Sequence, residues 1–183
     1  GSNKWIYNTD SLDEELLEFD DNKGPNFYCL LFPSIKAGDE RNHTMEILAM
    51  VQYDKFEKWE DTHWKKRGNS YADYKEKLAR RIFKDIARRY PKLVDAINAY
   101  NISTPLTTKS FLSRERGSSY GVPFTTKRPR LKWLSAKTPY KNLHISGQDA
   151  FAPGIMAAMM GGVSAAANVL GGLGYFKLMR EVT

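Results

Sequence analysis

Cysteine is all but missing. Cys29 is the only one in 183 residues, so no disulfide can close within the chain, and a lone thiol fits a reducing compartment weakly. Its setting, Phe27-Tyr28-Cys29-Leu30-Leu31-Phe32, marks it as a small buried side chain, not a nucleophile. Histidine is nearly as scarce. His43, His63 and His144 show no spacing for a shared ion, so surface or packing roles are expected and no metal site. No Gly-x-Gly-x-x-Gly turn precedes the last strand-like segment, so no dinucleotide site can be complete within these residues. Aromatic and basic residues are not interleaved as in RNA platforms, so no nucleic-acid partner is expected. No secretory signal is visible, which excludes little here. Gly1-Ser2 has the form of a cleavage scar, and the natural chain is expected to extend upstream of Asn3.

The 42% apolar and 13% aromatic content suffices for one respectable core in a soluble globular chain. An excess of 28 Lys+Arg over 21 Asp+Glu permits contact with an anionic surface. Acid gathers at the front, in Asp10 to Glu15 and Glu18 to Asp21. Base gathers in Lys65-Lys66-Arg67, Arg80-Arg81, Arg88-Arg89 and Lys127 to Lys132, and an ordinary solvated face is the default reading of these runs. A cytoplasmic or peripheral membrane location follows as the expectation.

Along the chain, Leu12 to Phe19 reads as a short acidic helix ended by the turn Asn22 to Asn26. Phe27 to Phe32 reads as a buried strand stopping at Pro33. A polar turn from Lys36 to Asn42 leads to a second strand within His43 to Val51, and so short a connection implies antiparallel pairing. Asp54 to Arg67, with Phe56, Trp59 and Trp64, is a short helix or an aromatic-pinned loop. Ser70-Tyr71-Ala72-Asp73 has the form of a capping box and opens an amphipathic helix. Its apolar stripe is Tyr71, Tyr74, Leu78, Ile82 and Ile86, Glu76 stands four residues before Arg80, and Pro91 ends it. Lys92 to Ala99 adds a helical turn, and Tyr100 to Thr108 reads as extended. Gly117 to Gly121 is a flexible loop and Lys127 to Lys132 an exposed irregular stretch.

The tail carries the densest pattern. Leu143 to Ser146 reads as a strand that stops at Gly147-Gln148-Asp149. Pro153 suits a first helical turn, a helix runs from Ala152 to Leu170, and Gly171-Gly172-Leu173-Gly174 stops it. A strand that halts at a glycine and an acid and then opens a helix is a cradle for an anion or cofactor, and this one reads as half of a site. Asp149 has a plainer reading as a cap of the last helix. Ala150 to Phe176 contains no charge, yet its glycines, Ser164 and Asn168 favour a buried helix packed on a sheet and a cofactor over a membrane span.

In their order, Tyr74 and Lys77, Tyr90-Pro91, Thr104-Pro105-Leu106-Thr107, Gly117 to Gly121, Gly147-Gln148-Asp149 and Gly154-Ile155 resemble the C-terminal part of the phytoene desaturase, carotenoid isomerase and retinol saturase family of FAD-dependent oxidoreductases. The resemblance runs from about Phe32 onward. It implies an α+β fold: a mixed, largely antiparallel sheet with covering helices, plus a C-terminal strand and long buried helix belonging to an FAD-binding domain. It implies residues 1–26 as scar and acidic lead, 27–142 as substrate-domain portion and 143–183 as the FAD-domain return.

By the same resemblance, Gly147, Gln148, Asp149, Gly154 and Ile155 would contact FAD in the full-length protein, the cofactor being absent from the fragment. Thr104, Pro105 and Tyr120 would line a substrate cavity or merely shape a strand end and a turn. The implied partners are a lipophilic polyene or isoprenoid substrate, which is desaturated, saturated or isomerised, and the missing N-terminal half of the chain itself. Peripheral membrane contact and self-association of the fragment through uncovered apolar surface are further expectations. No residue stands out as a catalytic acid or base, and the fragment alone is expected to be inactive. The rival reading is a stand-alone protein-interaction module in which the Gly-Gln-Asp turn is purely structural.

Overall fold

Short apolar runs in the first part of the chain build a sheet of three strands. The structure, a computed structural model, describes residues 2–11, 13–39, 43–123, 125–131 and 133–182. The strands are β1 (Lys4–Tyr7), the short pair β2 (Phe19–Asp20) and β3 (Gly24–Pro25), β4 (Phe27–Leu31) and β5 (Glu46–Ala49). The main sheet has the order β1-β4-β5, antiparallel throughout, with Ile6 opposite Tyr28 and Leu30 opposite Ile47. The fold class is α+β, as expected, and the antiparallel pairing of β4 with β5 is borne out. Strand β4 is central, which is why Tyr28, Cys29 and Leu30 are all buried.

Strand β1 was not anticipated. A hairpin follows it instead of the expected acidic helix: only Glu14–Leu17 make a 3-10 turn, and Phe19 leaves it for β2. Of that expected helix Leu12 lies outside the described residues, as do residues 40–42 of the polar turn. The hairpin turn is held by Asp20, whose carboxylate accepts the backbone N–H groups of Asn22 and Lys23.

The helices are α1 (Pro33–Lys36), α2 (Asn69–Arg89), α3 (Pro91–Asp95), α4 (Pro105–Leu112), α5 (Ile155–Leu170) and α6 (Gly174–Val182). The chain forms two units, Gly1–Ser118 and Ser119–Thr183. In the first, the stripe on α2 serves two apolar clusters. Tyr71 and Leu78 pack with Phe19, Tyr53, Phe56, Trp59 and Leu106, and Ile86 packs with Ile6, Tyr28 and Leu30, while Ile82 touches both. Each such side chain contributes about 1.5–3 kcal/mol by leaving water, so this single face holds the unit together.

Polar groups tie the same elements. Asp85, 5% exposed, accepts hydrogen bonds from the Tyr28 hydroxyl at 2.8 Å, Asn8 Nδ2 at 3.1 Å and Arg89 Nη1 at 3.1 Å, joining α2 to β4 and to the residue after β1. Arg67 belongs to a basic run expected to be solvated and is instead 8% exposed. It donates to the carbonyls of Thr62 and Leu106 and to the Ser110 hydroxyl at 2.6, 3.2 and 2.7 Å, so neutral acceptors compensate its burial. The expected capping box at Ser70 is not made: Gly68 is the cap residue, and the Ser70 hydroxyl accepts the Trp59 indole N–H at 3.1 Å. Residues 104–108, expected to be extended, open α4, with Thr104 and Thr107 forming a reciprocal capping box and Pro105 in the first turn.

The second unit departs further from expectation. Residues 143–146 do not form a strand, because their only ladder contact is a single bridge between His144 and Lys137. Arg128 is buried within a short turn, Arg128–Arg130, although the surrounding run was expected to be exposed; Lys132 of that run lies outside the described residues. Helix α5 starts at Ile155, so Pro153 precedes it by two positions and is not in its first turn. It is not buried overall: Gly161 and Ala165 are covered, while Ile155, Met156 and Met159 face outward. Nothing beyond the Gly171 stop was assigned, yet α6 follows. No single helix among the described residues is long and apolar enough to cross a membrane, and α5 with α6 reaches that length only as a pair bent by 119°.

Candidate cofactor cradle

The turn at residues 147–149 is built by one glycine and tied down by two side chains. Ser146 is extended, and Gly147 has a φ of 77°, a left-handed value that a side-chain-bearing residue adopts at a cost. Gly147–Asp149 then make one 3-10 turn, closed by the Ala150 N–H donating to the Gly147 carbonyl at 3.1 Å.

Asp149 does not cap α5. Its Oδ1 accepts the Val122 N–H at 2.9 Å, and Gly121 lets the loop come that close, since a Cβ there would collide with the carboxylate. Arg128 completes the tie: Nη1 donates to the Val122 carbonyl at 2.6 Å and Nη2 to the Gln148 carbonyl at 2.7 Å. Loop 121–122, Arg128 and the turn therefore form one polar unit.

Helix α5 enters through Gly154, with φ 105° and no side-chain hydrogen bond at the cap. The first helical bond runs from the Ala158 N–H to the Gly154 carbonyl at 2.8 Å, so the N–H groups of Ile155, Met156 and Ala157 precede it. A turn deeper, α5 lies against the 147–149 turn. A Cβ on Gly161 would overlap the Gly147 carbonyl, whereas one on Gly162 would meet only the Ser146 hydroxyl, at 3.7 Å. On the outer side there is room: a Cβ at Gly147 or Gly154 meets nothing within 4 Å, and Ile155 and Met156 are 82% and 72% exposed.

The entrance of α5 suits an anionic group. A helix N-terminus carries about half a positive charge, and two glycines leave the backbone approachable; the Asp149 carboxylate, itself negative, is engaged by the Val122 N–H and adds nothing to the attraction for an anion. Gly147, Gln148 and Asp149 are brought together in the turn, and Gly154 and Ile155 stand at the helix entrance. Thr104 and Pro105 lie in the other unit as the cap and first residue of α4. Thr104 is buried with its hydroxyl 2.6 Å from that of Tyr71, and Gly117 packs on the Pro105 carbonyl. Tyr120 is largely exposed. The sequence gives no sign of Val122, and it presents Gly121 only as part of a flexible loop and Arg128 only as part of an exposed basic stretch. Only the paired Gly161-Gly162, costly in a helix interior, signalled a close approach.

Comparison with known proteins finds relatives of one kind. The chain is 29% identical over 130 residues to an all-trans-retinol 13,14-reductase of Danio rerio, covering 69% of this chain and 21% of that protein. It is 27% identical over 183 residues to the all-trans-retinol 13,14-reductase of Rattus norvegicus, covering 92% and 30%. A Danio rerio protein named inactive all-trans-retinol 13,14-reductase is 29% identical over 175 residues, covering 89% and 28%. The chain thus spans between a fifth and a third of the length of these relatives. No protein-family model and no solved structure matches it.

Proposed function

We propose, for a chain that is a relative of the retinol saturase and carotenoid desaturase family, that it is part of an FAD-dependent oxidoreductase acting on a retinoid-like polyene lipid. In this reading residues 143–183 supply one wall of the flavin site and 27–142 belong to the substrate domain. The observation that carries it is the open turn at Gly147 beside the uncapped entrance of α5, with Asp149 held in place by Val122. Flavin, when bound, supplies the hydride chemistry. The chain's own part is to bind and orient. The Gly147 and Gly154 backbone would admit the cofactor closely, Gln148 would line the turn, and Asp149 would stand near the ribityl and pyrophosphate part. The α5 entrance, at Gly154 and Ile155, favours negative charge nearby by roughly 0.3–1 kcal/mol.

The remaining contacts belong to polypeptide outside these residues, so this chain alone is expected to be inactive and the longer protein active. The test is optical. The longer protein should purify yellow, and Asp149→Ala should lower the flavin retained per polypeptide. A colourless longer protein with normal folding would refute the proposal and favour the interaction module.

A further inference from the structure

The far end of α5 carries a second feature, independent of any flavin. With 16 residues, α5 is about 24 Å long, so its last turn stands well away from the cradle. There the chain turns through Gly171-Gly172-Leu173 into α6, and the bend is tightly built: a Cβ on Gly174 would collide with the Ala167 carbonyl, so the two helices touch backbone to backbone. What this rigid bend presents is apolar. Val169 and Leu170 end α5, Leu173 stands just before α6 and Phe176 lies in its first turn, the last two 64% and 67% exposed.

Charge is placed to match. The Lys177 N–H donates to the Leu173 carbonyl at 3.0 Å, so Leu173 heads the helix, and Leu173, Phe176, Lys177 and Arg180 follow at i, i+3, i+4 and i+7 on one face. Two apolar side chains at the tip are thus backed on the same face by two cations, neither paired with an acid among the described residues. A protein partner or second copy would need a surface shaped to the bend. An anionic bilayer needs only an apolar tip with cations one turn behind it, at headgroup depth.

We propose that the α5–α6 bend is a membrane-contact tip that inserts Leu170, Leu173 and Phe176 into the surface of an anionic bilayer, with Lys177 and Arg180 at the headgroups. Co-sedimentation of the 183-residue chain with phosphatidylcholine vesicles, with and without phosphatidylserine, tests it. Binding is expected to rise with phosphatidylserine. The Lys177→Glu/Arg180→Glu pair should weaken it by about 30-fold or more, and Leu173→Asp/Phe176→Asp should abolish it. As a check that does not depend on an acidic variant folding, an environment-sensitive dye is attached at Leu173→Cys in a Cys29→Ser background. It should shift to the blue on adding the same vesicles. No vesicle binding, binding indifferent to the tip substitutions, or no dye shift would overturn the proposal. So would a dimer in solution that Leu173→Asp dissolves, or a position 173 that the dye cannot reach in the longer protein, since another surface would then cover the tip.

Discussion

Gly161 and Gly162 are neighbours in one helix, and the structure assigns opposite outcomes to the same substitution in each. At Gly161 an added methyl overlaps the carbonyl oxygen of Gly147, which belongs to backbone and cannot swing aside. Restoring ordinary contact needs helix and turn to part by about 1.4 Å from the 2.0 Å at which the methyl would sit, an overpacking cost of about 1–3 kcal/mol that offsets or exceeds the ~1 kcal/mol by which alanine improves on glycine within a helix. At Gly162 the methyl meets the Ser146 hydroxyl at 3.7 Å, ordinary contact, so the propensity gain stands alone. Urea unfolding of the chain should therefore show Gly161→Ala destabilised by up to about 2 kcal/mol and Gly162→Ala unchanged or stabilised by up to about 1 kcal/mol. In the longer protein, Gly161→Ala should also lower flavin retention, because the displaced element is the turn that carries Asp149. Equal effects of the two substitutions, in either direction, would refute the close packing of α5 on this turn.

Arg67→Met should cost about 1.5–3 kcal/mol in urea unfolding, because it removes the charge-assisted hydrogen bonds to the Thr62 and Leu106 carbonyls and the Ser110 hydroxyl, and Arg67→Lys should recover only part of that. Arg128→Met unties Gln148 from Val122 and should reduce flavin retention in the longer protein as Asp149→Ala does, by loosening the turn. Burial, the nearby charge of Asp21 and a hydrogen bond to it push the Tyr74 hydroxyl up to about 12; burial and Asp85 push Tyr28 upward as well. Both groups stay neutral longer in the folded chain than in the unfolded one, where tyrosine ionises near 10. Their contribution is complete below about pH 10 and is lost as pH rises through the folded values. Denaturant midpoints measured from about pH 9 upward should fall, and Tyr74→Phe should flatten the fall.

The residues alone determined what is local. Helix α2 was legible in its stripe from Tyr71 to Ile86, and the β4–β5 pairing in two apolar runs joined by a short polar turn, since periodicity and connection length act within a few residues. The Gly147-Gln148-Asp149 turn before a helix was legible for the same reason: a glycine, an acid and a proline state their backbone preferences without knowing the fold. Helix α4 was equally local, because Thr104, Pro105 and Thr107 are a complete start signal.

Other features belonged to the tertiary structure. Strand β1 exists because β4 offers it a free edge, and Ser70 left its capping role because an indole N–H from Trp59 needed an acceptor. Arg67 and Arg128 look like surface charge in sequence, and what buries them is a set of carbonyl groups from distant segments, which no local pattern records. The same holds for α5. An uncharged run announces a helix that prefers to be covered, but whether it is covered depends on the surfaces the rest of the protein brings to it, and in these residues its outer face and the bend beyond it stand open.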